Sequence, residues 1–131
     1  MIVRVSLPDG DVDSGDAEIV HRFIDATRCV ISVRGEVDLN SALDLEWAIE
    51  QALLAARDCV VVDLTETTFI DAAAVGALAD SCRRVSRRSG ALVVAGLNAD
   101  LRRVFRLTAL ERIVPAFATA EEALAAGPPP C

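Results

Sequence analysis

The chain has 131 residues, of which 53% are hydrophobic and 4% are aromatic. This length and composition suit one compact domain with a core of Val, Leu, Ile and Ala. The net charge is −7, and every basic residue apart from the single His is Arg. Residues 1–81 hold 16 acidic residues and 5 Arg, a net of −11, whereas residues 82–131 hold 4 acidic residues and 8 Arg, a net of +4. Such acidity disfavours nucleic acid as a partner, so we expect a protein partner at one of the charged regions.

The N-terminal sequence, MIVRVSLPDGD, lacks the apolar core of a signal peptide, and no apolar run is long enough to span a bilayer. We therefore predict a cytoplasmic protein whose four Cys are reduced thiols. None of them forms a C-x-x-C pair, and the single His is far from any Cys, so we predict no metal site. A redox pair of Cys59 and Cys82 is a weaker alternative to their role as small core residues.

The first part of the chain predicts an N-terminal extension and a hairpin. Residues 1–17 form the extension, with a short strand at residues 2–6 followed by a polar, acidic link. The domain itself is predicted over residues 18–126. It begins with strands at residues 18–24 and 29–33, joined by a turn.

The first predicted helix follows the sequence GEVD at residues 35–38. Asn40 or Ser41 is expected to cap it. Its predicted buried face consists of four apolar residues at helical spacing: Leu45, Ile49, Ala52 and Leu53. Trp47 lies off that stripe, which predicts a half-exposed side chain that covers the helix edge; an interface anchor is the alternative.

The central part of the chain is predicted as a strand buried on both faces, a connection and a helix. The strand is the apolar run at residues 59–64, and residues 65–70 form the connection. Asp71 is expected to cap the helix by accepting from the backbone N–H of Ala73 or Ala74. The helix has an apolar stripe of Val75, Leu78, Cys82 and Val85. Its opposite side carries Asp80, Ser81, Arg84 and Arg87.

Two further strand and helix pairs complete the prediction. Gly90 is expected to end the central helix, before a strand at residues 91–95. Asn98 should cap the next helix, which turns four apolar residues inward: Leu101, Val104, Phe105 and Leu107. A last strand at residues 113–117 and a final helix capped by Thr119 follow. The tail GPPPC, residues 127–131, is expected to be disordered.

The predicted order ββαβαβαβα, with one more strand possible in front, is an α/β fold. Alternating strands and helices imply parallel strands with right-handed crossovers, so the expected sheet is mixed, partly parallel and covered by about four helices.

No arrangement of residues indicates catalysis. The phosphate-binding, dinucleotide-binding, nucleophile-elbow and zinc-protease motifs are all missing from the sequence. Asp63 ends a predicted central strand, as the phosphoacceptor of a response-regulator receiver does, but such receivers also use a Lys and this chain has none. We therefore predict a protein that is not an enzyme and needs no cofactor.

Three stretches resemble one known family. GEVD at residues 35–38, the VVVDL and FID elements around the central strand, and the small residues at the start of the next helix are similar to STAS domains, in particular to bacterial anti-sigma factor antagonists. The resemblance runs from about Glu18 to Ala126. That family has Asp, two Ser and then Gly-Leu-Gly at the helix start, and the first Ser is phosphorylated. Here Asp71 and Gly76 are kept, but Ala72 and Ala73 stand where the two Ser would be.

The resemblance implies an anti-anti-sigma factor that binds an anti-sigma factor, which in this family is often a kinase of the histidine-kinase-like ATPase fold, and so frees a sigma factor. It implies a protein that is a monomer or weak dimer. Ala72 takes the place of the phosphorylation site, which is lost. The implied partner surface is centred on the helix start and comprises Thr67, Thr68, Asp71, Ala72, Ala73, Gly76, Ala77 and Asp80, with Asp38 and Asn40 nearby. The alternative is an accessory STAS subunit of a transporter ATPase or of a larger signalling assembly.

Overall fold

The computed structural model describes residues 2–5 and 17–126, and the predicted acidic link and C-terminal tail lie outside these residues. The fold is α/β, as predicted, and the additional strand in front is present. The strands are β1 (Ile2–Val5), β2 (Ala17–Phe23), β3 (Arg28–Val37), β4 (Cys59–Ile70), β5 (Ala91–Ala95) and β6 (Ala116–Phe117). The helices are α1 (Leu39–Leu54), α2 (Ala72–Arg87), α3 (Ala99–Leu107) and α4 (Ala120–Ala125), with a 3₁₀ turn at Leu110–Arg112.

The six strands form one mixed sheet in the order in which they occur along the chain. β1, β2 and β3 pair antiparallel, whereas β3, β4, β5 and β6 pair parallel, because a helix returns the chain between each parallel pair. In the β2–β3 turn the Asp25 carboxylate accepts from the backbone N–H groups of Thr27 and Arg28. The hydrogen bond from the Thr27 N–H first, and then those from the Arg28 side chain and backbone, lower the pKa of Asp25 to about 2.

Helices cover both faces of the parallel part of the sheet. Val60 and Val62 of β4 face a large core that α1, α2 and α3 complete, whereas Val61 faces a smaller core that includes Ala120 and Ala123 of α4. Alternate residues of one strand are therefore buried on opposite faces, which explains its continuous apolar sequence.

The predicted connection at residues 65–70 is wrong, because this segment continues β4. It stays paired with the second half of β3, Gly35 lying opposite Thr67 and Val37 opposite Ile70. The register shifts twice along this pair, so β4 contributes an extra residue at each shift. Gly35, at the second shift, has a φ of 99°, a conformation that favours glycine.

The helix caps are partly as predicted. Asp71, Asn98 and Thr119 each accept a hydrogen bond from the backbone N–H three residues later. The cap of α1 is Asp38 rather than Asn40 or Ser41, because β3 runs to Val37 and the helix begins at once.

The end of α2 differs from the prediction. The left-handed residue there is Ser89, with a φ of 60°, not Gly90. Gly90 instead lets the backbone at Asp58 lie close to it, because a Cβ atom at Gly90 would be 2.3 Å from the carbonyl oxygen of Asp58.

Two burial predictions are corrected, and so is the length of the last strand. Ser81 is buried rather than on the exposed side of α2, because Ala74, Ala77 and Ser81 widen the buried face beyond the stripe that meets the sheet. Leu107, expected to face inward, is 73% exposed at the last residue of α3. The last strand is shorter than predicted, because the 3₁₀ turn at Leu110–Arg112 takes up the chain before it.

Candidate functional site

The N-termini of α1 and α2 lie next to each other at one edge of the sheet. Val37 and Ile70, the last residues of β3 and β4, are paired, and the backbone N–H of Asp71 donates to the carbonyl oxygen of Val37 over 3.1 Å. Asp38 and Asp71 follow these two strand ends, and each caps the helix that begins at the next residue. The resemblance placed these two regions near each other, and the strand pairing accounts for it.

Carboxylates occupy both helix starts. Asp38 accepts from the backbone N–H of Ser41 over 3.0 Å and Asp71 from that of Ala74 over 2.9 Å. The bond from the Ser41 N–H is the main reason that the pKa of Asp38 is lowered. Each carboxylate satisfies a backbone N–H group that has no partner within the helix. Each is also stabilised by the partial positive charge at the start of its helix.

The first two turns of α2 present a surface of small side chains. Ala72 and Gly76 are exposed and Ala73 is half-buried. Apart from the backbone of its own helix and its two chain neighbours, a Cβ atom at Gly76 would meet no heavy atom of the described residues within 4 Å, so the space above this residue is open. A partner can therefore approach the helix backbone closely here.

The structure separates the predicted site residues by exposure. Thr67 is 1% exposed and its hydroxyl donates to the carbonyl oxygen of Val33 over 2.8 Å, and Ala77 is also buried. The side chains of these two residues therefore cannot contribute to a surface. Thr68, Asn40 and Asp80 are exposed, and Asp80 forms an ion pair with Arg83.

Three exposed apolar residues beside this region were missed by sequence reasoning. Phe69 is 50% exposed and lies opposite Glu36 in the β3–β4 pairing, while Leu39 is 60% exposed as the first residue of α1. Leu43, one turn later in α1, is exposed too. The sequence could have indicated the two leucines, because Leu39, Leu43 and Trp47 are spaced four residues apart. They form a second apolar stripe on α1, separate from the predicted core stripe.

Few hydroxyl groups are available near the start of α2. Ala72 and Ala73 carry only methyl groups, the hydroxyl of Thr67 is buried, and Ser81 is fully buried further along the helix. Thr68 is exposed, but it lies in β4 before the cap. Among the described residues, no group of three or more His, Cys, Asp or Glu is arranged to hold a metal ion.

Cys59 and Cys82 do not form the redox pair that was the weaker alternative to two core residues. Cys59 is disulfide-bonded, which corrects the expectation that all four Cys are thiols, whereas Cys82 and Cys29 are free. Burial raises the pKa of the Cys82 thiol and raises that of Cys29 to about 12, so both free thiols are held in the protonated, unreactive form.

Comparisons with known proteins agree on one family. The family model described as the STAS domain matches residues 16–123. An anti-sigma-B factor antagonist of Listeria monocytogenes is 30% identical over 84 residues, which cover 64% of this chain and 74% of that protein. The crystal structure of an anti-sigma factor antagonist from Mycobacterium paratuberculosis is similar with a TM-score of 0.75 and 27% identity, over 93% of this chain and 97% of that one.

Two more distant likenesses concern the fold alone. Unphosphorylated SpoIIAA, an anti-sigma factor antagonist, has a TM-score of 0.71 at 21% identity, over 81% of this chain and 92% of its own. The murine anion transporter Slc26a9 has a TM-score of 0.64 at 10% identity, and the match covers 93% of this chain but 21% of the transporter. Among the described residues of the present chain, no helix is long and apolar enough to cross a membrane. By its family model, its curated relatives and its fold, the chain belongs to the STAS domain family.

Proposed function

We propose that this protein is an anti-sigma factor antagonist, which binds an anti-sigma factor and thereby releases a sigma factor. The observation that carries the proposal is the open, small-residue start of α2 beside the start of α1. The names of the Listeria and Mycobacterium relatives support the same function. This role is regulatory and requires binding but no catalysis.

The proposed contact surface combines a close backbone approach with exposed apolar side chains. Ala72, Ala73 and Gly76 allow a partner element to lie against α2, and Phe69 and Leu39 offer apolar area next to it. A central apolar contact surrounded by polar residues is the usual anatomy of a specific interface. Asn40 and Thr68 supply exposed polar groups around it.

A second part of the proposal is that the phosphorylation switch is absent. Phosphoryl transfer needs an attacking hydroxyl in line with the transferred group, at roughly 3–3.5 Å. Ala72 and Ala73 have none, and Ser81 and Thr67 are buried. The protein would then bind its partner whether or not that partner is an active kinase.

The alternative, an accessory subunit of a transporter ATPase or of a larger assembly, has less support. The likeness to Slc26a9 is at 10% identity and carries information on the fold only. No feature of the α2 surface favours this role over the proposed one.

The test is reconstitution with purified anti-sigma factors of the source organism and their sigma factors. We expect the protein to co-elute with one anti-sigma factor in size-exclusion chromatography and to displace the bound sigma factor. Ala72→Arg should abolish displacement, because it places a long cationic side chain at the centre of the surface. Ala125→Arg is the matched control, since Ala125 is an exposed alanine on α4, which covers the opposite face of the sheet. Failure to displace any sigma factor, or equal activity of both variants, would contradict the proposal.

A further inference from the structure

Four arginines of α3 and the turn after it are exposed. They are Arg102, Arg103, Arg106 and Arg112. Among residues 17–126, none of the four forms an ion pair. Arg84 and Arg88 at the end of α2 differ, because both contact Glu50 of α1. In a chain with a net charge of −7, the α3 arginines are thus a cationic cluster that forms no ion pair with the described part of the chain.

Two of these arginines line a groove between α3 and β6. Its volume is about 300 Å³, and Arg102, Arg106, Phe105 and Phe117 are among the residues that line it. Leu97 contributes further apolar lining, and Glu111 is the acidic residue among the described residues that line the groove. The groove therefore combines an apolar floor with two guanidinium groups.

We propose that this groove docks an acidic segment of a protein partner, with one large apolar side chain in the groove and flanking carboxylates on Arg102 and Arg106. Guanidinium groups bind carboxylates through two parallel hydrogen bonds, which gives both affinity and orientation. A cavity of this size lies at the lower end of those that take small ligands, and it suits one side chain rather than an extended molecule. The site is separate from the α2 surface and does not require the function proposed above.

Charge distribution favours an acidic peptide over a larger polyanion. Residues 1–81, which form most of the rest of the molecule, carry 16 acidic residues against 5 Arg. A membrane surface or a nucleic acid presents negative charge over a wide area and would be repelled by these residues, whereas a short acidic segment meets only the local cluster.

The test uses the full chain and a fluorescein-labelled peptide with one Leu between two runs of three Glu. Fluorescence anisotropy of the peptide should show saturable binding. On addition of unlabelled peptide, the NMR chemical-shift changes of the isotopically labelled protein should centre on Leu97, Phe105 and Phe117. The double variant Arg102→Glu/Arg106→Glu should weaken binding by about tenfold or more. Arg22→Glu/Arg87→Glu changes the net charge equally at two exposed sites away from the groove, and it should leave the affinity within about twofold.

Replacing the Leu of the peptide with Gly should also weaken binding, since the groove then stays unfilled. Equal weakening by the two double variants would overturn the proposal, because it would show a response to net charge alone. The proposal would also be overturned if the peptide failed to bind while a short DNA duplex or phosphatidylglycerol vesicles bound in a way that depends on Arg102 and Arg106.

Discussion

The backbone N–H of Asp71 donates a hydrogen bond to the carbonyl oxygen of Val37 over 3.1 Å. This bond continues the pairing of β3 and β4 by one residue, up to the point where both strands turn into helices. The consequence is that the caps of α1 and α2, Asp38 and Asp71, are neighbours at one edge of the sheet. The proposed partner surface is therefore built on strand pairing, and not on flexible loops.

Two substitutions at Gly76 should distinguish the effect of this position on stability from its effect on partner binding. Gly76→Ala should raise the free energy of unfolding by roughly 0.5–1 kcal/mol, because Ala is the better helix former and its Cβ meets no neighbour. Gly76→Arg should fold as well as the wild type but lose binding to the anti-sigma factor. Urea unfolding and calorimetric titration measure the two effects. An Arg variant that binds like the wild type would place the interface elsewhere.

Gly90 provides the opposite case. Gly90→Ala should lower the free energy of unfolding by at least about 1 kcal/mol, because the added Cβ would lie 2.3 Å from a backbone oxygen of Asp58 that cannot easily move. Thermal unfolding checks this, with Gly76→Ala as the matched substitution in open space. If Gly90→Ala and Gly76→Ala changed the free energy of unfolding equally, the close approach at Gly90 and the open space at Gly76 would both be contradicted.

The Asp71 carboxylate should stabilise the protein by capping α2. Asp71→Ala removes the acceptor for the Ala74 N–H and should cost about 0.5–2 kcal/mol. Asp71→Asn or Asp71→Ser keeps an oxygen at this position and should recover most of that loss. Chemical unfolding of the three variants measures this, and equal destabilisation by all three would argue against the capping role.

His21 should make the fold sensitive to mild acid. It is 2% exposed, its Nε2 has no hydrogen-bond partner within the described residues, and its ring lies 4.5 Å from that of Phe23. Burial, and then the nearby Arg57, lower its pKa. The unfolded chain therefore binds a proton more readily than the folded one. Stability should fall as the pH drops below about 6.5, by at most about 1.4 kcal/mol per pH unit, until the folded pKa is reached.

Because His21 is the single His of the chain, one substitution tests whether it causes the loss of stability in mild acid. Urea unfolding at two pH values on either side of 6.5 should show the loss for the wild type and a much smaller loss for His21→Leu. An unchanged pH dependence in the variant would exclude His21 as the cause.

Local patterns predicted most of the fold, and the differences arise from long-range pairing. Residues 65–70 did not show the alternation of a strand, because the two register shifts against β3 leave Leu64, Thr67 and Ile70 buried at a spacing of three. The same pairing extends β3 to Val37 and moves the α1 cap to Asp38. A single sequence cannot show which residue of a distant strand lies opposite.

The helical part of the candidate site could be proposed from the sequence, whereas the strand part could be proposed only incompletely. Asp71, Ala72 and Gly76 were identified because the helix start has a local motif. Phe69 was missed because the local pattern predicts a connection for the segment that contains it, and its exposure depends on the bulged pairing with Glu36. The burial of Thr67 has the same cause.

The most direct measurement of the central claim is the Kd of the protein for its anti-sigma factor before and after incubation of the two with ATP. Ala72→Ser, which restores a hydroxyl at the helix start, is the reference variant. We predict an unchanged Kd and an unchanged intact mass for the native chain, and for Ala72→Ser a gain of one phosphate and weaker binding. Phosphate on Thr68 or another residue of the native chain, together with loss of binding, would contradict the account.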